Sequence, residues 1–369
     1  METCYLLLLL LVHVFYVLVC NLSENGALAH SAKTSNFSVT AILVFGDSTV
    51  DPGNNNFIKT IFKGNFPPYG QDFPNQLPTG RFSNGRLTTD FIASYIGLKD
   101  YVPPYLDPSL SIEELKSGVS FASAGTGFDP LTPQISNVIE IPKQVEYLKE
   151  YKRRLESAIG KQRTKNHINK ALFIVSAATN DFVVNYFTLP IRRKTYSVSG
   201  YQQFVLHNNI KLLQDLINEG ARKILVTGLS PMGCLPIVIT LFSHNAILER
   251  GCIESISSIG REYNRMLQNE VTLLQNRFAN LGVKILISDS YGPLTKMIQG
   301  DESSEFDEVN SGCCGTGYLE AGILCNPKSY VCPNPSKYVF WDSIHPTEKT
   351  YYKIFLATRS NIISLLNHP

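Results

Sequence analysis

Residue types that together can cleave an ester stand near opposite ends of this chain. Ser48 follows Gly46 and Asp47 directly after an apolar run, and Asp342 precedes His345 by three positions near the other end. A serine hydroxyl becomes a good nucleophile when an imidazole accepts its proton and a carboxylate orients that imidazole. A turn can bring Asp342 to one ring nitrogen of His345 while the other faces Ser48. The pattern predicts a triad, provided that the fold brings Ser48 to this turn.

Four apolar runs of strand length must position these residues. Each ends in polar, turn-forming residues, which is typical of buried strands in a parallel sheet. The runs are 41–45, 171–176, 224–227 and 283–287. Between them, apolar residues recur at helical spacing, most clearly from Ile256 to Leu281 and from Val145 to Ile159. This alternation predicts an α/β fold, a three-layer α/β/α sandwich with a central, mostly parallel sheet.

Two further residues follow strand-like runs at the edge where ligands gather in open α/β sheets. Gly125 comes after the short apolar element 119–122, and Asn180 closes the run that begins at position 171. The backbone N–H groups of Ser48 and Gly125 and the side-chain amide of Asn180 are therefore candidates for an oxyanion hole. Taken alone, Asn180 could cap a helix, and Asp342 could form only a local hydrogen bond to His345.

The order of these motifs resembles the GDSL esterase/lipase family of the SGNH hydrolase superfamily, and its plant secreted branch in particular. The most specific stretches are 46–56 and 339–348, and the likeness covers essentially all of residues 30–369. The resemblance implies an SGNH-hydrolase-like fold. It also implies that Ser48 is the nucleophile, His345 the base and Asp342 its orienter, and that Gly125 and Asn180 complete the oxyanion hole with Ser48.

Two positions depart from the family pattern. Thr49 stands where the family has its namesake leucine, a position that takes no part in proton transfer. Ala178 replaces a glycine two residues before Asn180. A methyl group fits at position 178 unless the turn needs a positive φ. We therefore expect Ala178 to affect the rate more than the class of reaction.

Composition favours a globular protein, because 44% of the 369 residues are hydrophobic and 17% are charged. A formal net charge of +2, without a long Lys/Arg block, argues against nucleic-acid binding. Residues 30–369 contain no linker-like stretch or internal repeat, so we expect one hydrolase domain. The sequence carries no indication of an oligomeric state.

The apolar N-terminus predicts a signal peptide over residues 1–29, cleaved after about residue 20 or 29. An uncleaved membrane anchor is the alternative. No later apolar stretch approaches spanning length, so we expect a secreted protein of the extracellular space or cell wall. Asn36 begins an N-glycosylation sequon, and Asn21 begins another that would be removed or unused.

Six cysteines would remain after cleavage, an even number that predicts three disulfides in an exported chain. Loop closure favours Cys234 with Cys252 and leaves the cluster from Cys313 to Cys332 to pair within itself. That pairing would rigidify the segment before Asp342. A zinc site is a weaker alternative, because ligand-spaced Cys and His repeats are missing from the sequence.

These observations predict a serine esterase or lipase that hydrolyses carboxylic esters through an acyl-enzyme on Ser48, without a metal or organic cofactor. The substrate would be a lipid, a cutin-like polymer or an acetylated polysaccharide. Ser230 is a poor rival nucleophile because Gly228-Leu-Ser230-Pro-Met232 lacks the second glycine of a nucleophile elbow. Two alternatives remain: an acyltransferase that uses the same site, and a catalytically silent protein that binds lipid or cell wall.

Overall fold

The computed structural model describes residues 37–300 and 305–367. Within these residues the central sheet has five parallel strands in the order β2-β1-β3-β4-β5. They are β1 (Ile42–Gly46), β2 (Gly118–Ser120), β3 (Leu172–Ser176), β4 (Lys223–Thr227) and β5 (Lys284–Ser288). The predicted parallel sheet is confirmed, and its four predicted runs match β1, β3, β4 and β5 to within one residue at each end.

Helices cover both faces of the sheet. They are α1 (Thr88–Tyr95), α2 (Ile112–Lys116), α3 (Leu131–Ser136), α4 (Ile141–Ile159), α5 (Lys161–Lys170), α6 (Val198–Asn218), α7 (Pro236–Phe242), α8 (Glu254–Arg277), α9 (Tyr291–Gln299) and α10 (Glu348–Leu366). A π-helical segment, Asp181–Thr188, follows β3. The two predicted amphipathic stripes correspond to α4 and α8. The structure ends α8 at Arg277, a few residues before Leu281.

Two separate cores lie against the sheet, because successive side chains of a strand point to opposite faces. Leu43 and Phe45 of β1 pack into a core with α4, α6 and α8. Ile42 and Val44 pack into a second core with α1 and α10. Helix layers on both sides of a parallel sheet make the predicted three-layer α/β/α sandwich, so the predicted fold class is confirmed.

A small parallel sheet was not predicted. It pairs β6 (Glu308–Gly312) with β7 (Tyr338–Phe340), which runs directly into the Asp342 turn. Only one residue of β6 is buried, so its sequence lacks the apolar run that marks a strand. Disulfides Cys313–Cys332 and Cys314–Cys325 brace the loop between the two strands.

The third disulfide is Cys234–Cys252, as predicted, and the late cysteines pair among themselves, also as predicted. The zinc alternative is wrong for these cysteines, because all six are disulfide-bonded. The expected signal peptide and the sequons at Asn21 and Asn36 lie outside the described residues. In residues 37–300 and 305–367, no helix combines the length and the apolar character needed to cross a membrane.

Candidate active site

The turn after β1 presents Ser48 at the carboxyl edge of the sheet. Gly46 has a φ of 140°, and a Cβ at this position would lie 1.8 Å from the carbonyl oxygen of Ser176 on β3. Only glycine fits so close to a neighbouring strand. The Asp47 N–H donates to the same Ser176 oxygen at 3.0 Å, which fixes the start of the turn. Ser48 is the next residue, so the close approach of β1 to β3 at this turn sets its position.

The structure brings Ser48, His345 and Asp342 together. The Ser48 hydroxyl lies 2.8 Å from Nε2 of His345. On the other side of the ring, Nδ1 lies 2.7 Å from Oδ2 and 2.9 Å from Oδ1 of Asp342. Because a carboxylate accepts hydrogen bonds, this contact favours the tautomer with the proton on Nδ1. Nε2 is then free to accept the proton of Ser48.

Three donors besides the imidazole hold the Asp342 carboxylate, which is fully buried. Its Oδ1 accepts the backbone N–H groups of Ile344 at 2.8 Å and His345 at 2.7 Å. Its Oδ2 accepts the Tyr69 hydroxyl at 2.8 Å. The Tyr69 oxygen in turn accepts the N–H of Gly322 at 2.8 Å. Asp342 is therefore held in one orientation by its own turn and by Tyr69.

The segment from Asp51 to Asn55 builds the loop that carries Gly125. Both carboxylate oxygens of Asp51 accept N–H groups, and one of these, from Ala124, is 2.9 Å away. The Asn55 amide donates to the Ala124 carbonyl at 2.9 Å. Gly125 itself has a φ of 86°, in the range that favours glycine. The segment from Asp51 to Asn55 thus holds the Gly125 backbone in place through Ala124.

Asn180 lies beside this loop at the N-cap position of the π-helical segment, but its side chain makes no capping hydrogen bond. Its Nδ2 donates to the Thr126 carbonyl at 2.9 Å. A primary amide has two hydrogens on that nitrogen, so a second donor remains. Asn180 and Ser48 also line the same cavity. One amide hydrogen therefore ties Asn180 to the Gly125 loop, and the other is available to a ligand.

Asp181, the neighbour of Asn180, accepts hydrogen bonds from the residues that follow Gly125 in the loop. It is fully buried and accepts the N–H of Phe128 at 2.8 Å, the N–H of Asp129 at 3.1 Å and the hydroxyl of Thr132. Burial raises the pKa of this carboxyl to about 7, although the three donors lower it. The sequence alone gave no indication of this role for Asp181.

Ala178 adopts the backbone conformation in which its methyl group is unfavourable. Its φ is 102°, and the residue is fully buried. Its carbonyl accepts the N–H groups of Asp181 at 3.1 Å and Phe182 at 3.4 Å, so this strained residue starts the turn that presents Asn180. The condition set by the sequence, a need for positive φ at this position, is therefore met.

Thr49, which stands where the family has a leucine, makes polar contacts in the turn. Its N–H and its hydroxyl both lie against Oδ1 of Asp47, at 3.0 and 2.8 Å. The hydroxyl also lies 2.9 Å from the hydroxyl of Ser176 on β3. Burial raises the pKa of the Asp47 carboxyl to about 6, against the lowering effect of these hydrogen bonds and of His345.

Two supporting residues escaped the sequence analysis. Gln144 on α4 is fully buried, accepts the Gly46 N–H at 2.9 Å and donates to the Gly46 carbonyl at 3.0 Å. Its signal was a polar residue on an apolar helix stripe, between Ile141 and Val145. Tyr69, whose hydroxyl reaches Asp342, lies in a turn-rich stretch that carries no signal of that contact.

The remaining predicted features differ in their relation to the site. Trp341 is fully buried and packs edge-on against Tyr69, with ring centroids 6.3 Å apart, in a cluster with four disulfide-bonded cysteines. It packs the disulfide-braced loop and does not line the cavity beside Ser48. Ser230 lines the same cavity as Ser48. Among the described residues, no group of three or more His, Cys, Asp and Glu side chains could hold a metal ion.

Comparison with known proteins places this chain in a family. Residues 42–358 match the family model of the GDSL-like lipase/acylhydrolases. The chain is 62% identical to GDSL esterase/lipase At5g45960 of Arabidopsis thaliana over 338 residues, which are 92% of this chain and 90% of that protein. It is 42% identical to GDSL esterase/lipase At1g06990 of the same plant over 363 residues, 97% of this chain and 100% of that protein.

The alignment with one solved structure, that of a gut microbial diltiazem-metabolizing enzyme, covers 89% of this chain and 48% of the enzyme's chain, with 11% identity and a TM-score of 0.33. This similarity is too remote to bear on the fold or the function. The family model and the plant relatives span most of this chain, and the candidate triad falls within the matched residues. The chain therefore belongs to the GDSL-like lipase/acylhydrolase family, and it is a carboxylic ester hydrolase.

Proposed function

We propose that this hydrolase forms an acyl-enzyme on Ser48, with His345 as general base and Asp342 as the residue that orients it. The observation that carries the proposal is the 2.8 Å contact between the Ser48 hydroxyl and Nε2 of His345, whose Nδ1 contacts Asp342 at 2.7 Å. Nucleophile, base and orienting group thus form one connected chain within hydrogen-bonding distance.

The first half-reaction transfers the acyl group to the protein. The Ser48 oxygen bonds to the ester carbonyl carbon while its proton passes to Nε2 of His345. The negative charge on the carbonyl oxygen is stabilised by the N–H groups of Ser48 and Gly125 and by the Asn180 amide. The C–O bond to the alcohol then breaks, and the imidazolium donates its proton to the departing alkoxide oxygen. The alcohol leaves and the acyl group stays on Ser48.

The second half-reaction returns the protein to its starting state. His345 takes a proton from water as the water oxygen bonds to the acyl carbon. The bond between that carbon and the Ser48 oxygen then breaks, and Ser48 recovers its proton from His345. The Asp342 carboxylate stays ionised and stabilises the imidazolium in both halves. The Asn180 amide supports this assignment because one of its two hydrogens remains free for the oxyanion.

The first test compares Ser48→Ala with the unchanged protein on p-nitrophenyl esters. We expect kcat to fall by about 10⁴-fold or more, as for other serine hydrolases that lose the nucleophile. Ser230→Ala is the matched control, because Ser230 lines the same cavity but has no contact with His345 among the hydrogen bonds of the described residues. Equal activity in Ser48→Ala and the parent would refute the proposal.

The nature of the second step is tested by the products. When an alcohol is added to the reaction, we expect free carboxylic acid to remain the main product, because water deacylates Ser48. If the new ester predominates at low alcohol concentration, the enzyme acts as an acyltransferase. Trapping a covalent acyl adduct on the peptide that contains Ser48, by mass spectrometry after acid quench, tests the intermediate itself.

We further infer that the protein is exported and glycosylated at Asn36. Three disulfides support export, because such bonds persist in oxidising compartments. N-terminal sequencing of protein recovered from the medium of plant cells would give the cleavage site, which we expect near residue 20 or 29. Treatment with an N-glycosidase should reduce the mass of the parent but not that of Asn36→Gln, and an intracellular, unprocessed chain would contradict the inference.

A further inference from the structure

We infer that the enzyme is selective for short acyl groups, about the length of butyryl, because the acyl chain enters a small cavity behind Ser48. This inference rests on the proposed acyl-enzyme at Ser48. The cavity lies along the carboxyl edge of the sheet and has a volume of about 100 Å³. Ser48 and Asn180 line it, so an acyl group on the Ser48 oxygen has direct access to this space.

The walls of the cavity are mainly apolar. Ile174 of β3 and Leu225 of β4 come from the sheet, and Ile92 comes from α1. Tyr351 and Ile354 of α10 close it from the helix side. Each of these side chains is less than one-tenth exposed. Apolar walls of this kind take a hydrocarbon chain more readily than the polar alcohol portion of a sugar or glycerol ester.

The cavity does not extend to the later turns of α10. Further along α10, Ile362 and Leu365 have no solvent-accessible surface, and neither residue lines the cavity. They pack with the second core instead. The close packing of protein interiors leaves no room for a longer chain beyond this point. An acyl group that extends past the cavity on this side must therefore displace core side chains.

The volume sets the length of the preferred acyl group. An apolar cavity of about 150 Å³ holds benzene, which has six carbon atoms. By proportion, a cavity of 100 Å³ holds about four. Each methylene that moves from water into such a space contributes about 0.8 kcal/mol, which is close to a fourfold increase in kcat/KM. We therefore expect kcat/KM to rise about 15-fold from acetyl to butyryl and then to stop rising.

The experiment is a series of p-nitrophenyl esters from acetate through butyrate, hexanoate and octanoate to laurate. We expect a maximum near butyrate and at least a tenfold lower kcat/KM for octanoate. A maximum at octanoate or laurate would overturn the inference while leaving the proposed function intact, as long as the activity still depends on Ser48. Activity that persists in Ser48→Ala at every chain length would overturn both.

Two matched variants on α10 locate the selectivity. Ile354→Ala enlarges the cavity and should raise the ratio of kcat/KM for hexanoate to that for butyrate about tenfold. Ile362→Ala removes the same atoms from a buried position that does not line the cavity, so its ratio should equal that of the parent. Equal chain-length profiles for the two variants would overturn the assignment of this cavity. If either variant fails to fold, the series with the parent still decides the chain length.

Discussion

Ala178 shows how a single methyl group can oppose the conformation that a site requires. Its φ of 102° lies in a region that side chains with a Cβ rarely adopt, yet the turn it starts presents Asn180. Strain of this kind costs about 1–3 kcal/mol. The surrounding sheet and the π-helical segment hold the residue in place against that cost.

Replacement of Ala178 by glycine should relieve the strain. The relief is offset by loss of a buried methyl group, about 0.8 kcal/mol, and by greater freedom of the unfolded chain, about 0.4–1 kcal/mol. Ala171→Gly is the matched control at the other end of β3, because Ala171 is equally buried but has a φ of −72°. By urea denaturation, Ala178→Gly should be about 1–3 kcal/mol more stable than Ala171→Gly. Equal stability of the two variants would show that position 178 is unstrained.

Tyr69 acts on the proposed reaction only through Asp342. In Tyr69→Phe the carboxylate loses one donor, so Asp342 orients His345 less firmly, and we expect kcat to fall about tenfold with little change in KM. Tyr151→Phe removes another buried hydroxyl, which donates to the Leu115 carbonyl at 2.9 Å far from the triad. Steady-state kinetics should show normal kcat in that control. A raised KM with normal kcat in Tyr69→Phe would contradict the positioning role.

At the level of secondary-structure elements, the site depends on how α4 meets the end of β1. The Gln144 amide bridges both backbone groups of Gly46, and these are the last groups before the Asp47-Ser48 turn. Strand β3 fixes the same turn from the other side through Ser176. The position of Ser48 is therefore set jointly by a helix and a neighbouring strand.

Gln144→Met keeps a side chain of similar length but removes both bonds. It leaves the Gly46 N–H buried without the Gln144 acceptor, while the Gly46 carbonyl keeps the Ser123 N–H at 2.9 Å. Unfolding free energy should therefore fall by about 1–3 kcal/mol, and kcat should fall as well. Gln202→Met is the control, since Gln202 is also buried and donates to the Ile259 carbonyl at 2.9 Å, away from Ser48. The control should lose stability but retain kcat, and a normal kcat in Gln144→Met would refute the role of the bridge.

The sequence predicted the parts of this structure that leave a local pattern. The sheet followed from uniform apolar runs such as 41–45, and the Cys234–Cys252 disulfide followed from loop closure. The strand Glu308–Gly312 was missed because its side chains are mostly polar. Tyr69 was missed because it meets Asp342 across 273 positions, a distance over which spacing carries no information. The roles assigned to Ser48, Gly125, Asn180, Asp342 and His345 stay a prediction until activity is measured.

Across the whole molecule, buried carboxyl groups give stability an unusual dependence on pH. Burial raises the pKa of Asp47 and Asp51 to about 6 and that of Asp181 to about 7. A carboxyl group whose pKa is higher in the folded than in the unfolded protein holds its proton more tightly when folded. Between pH 4 and pH 7 these three groups therefore bind more protons in the folded than in the unfolded protein, and their contribution to stability falls as pH rises through that window.

Asp181→Asn tests this behaviour at one position. The ordinary pKa of this carboxyl is 3.8, and the folded value is about 7, so its contribution is present below pH 4 and is lost by about pH 7. The amide does not titrate. We expect the decrease in unfolding free energy between pH 4 and pH 7 to be about 2–4 kcal/mol smaller in the variant than in the parent. Denaturant titrations at several pH values measure it, and equal slopes would contradict the assignment.

The contact between Ser48 and His345 joins residues 297 positions apart. During translation, the proposed triad can therefore form only long after Ser48 has been synthesised. Ser48 leaves the ribosome early, but the base that would activate it is synthesised 297 residues later. On the proposed mechanism, a growing polypeptide cannot attack esters while it is being made. A premature stop codon before His345 likewise yields a protein without this activity, even if all five strands of the central sheet are translated.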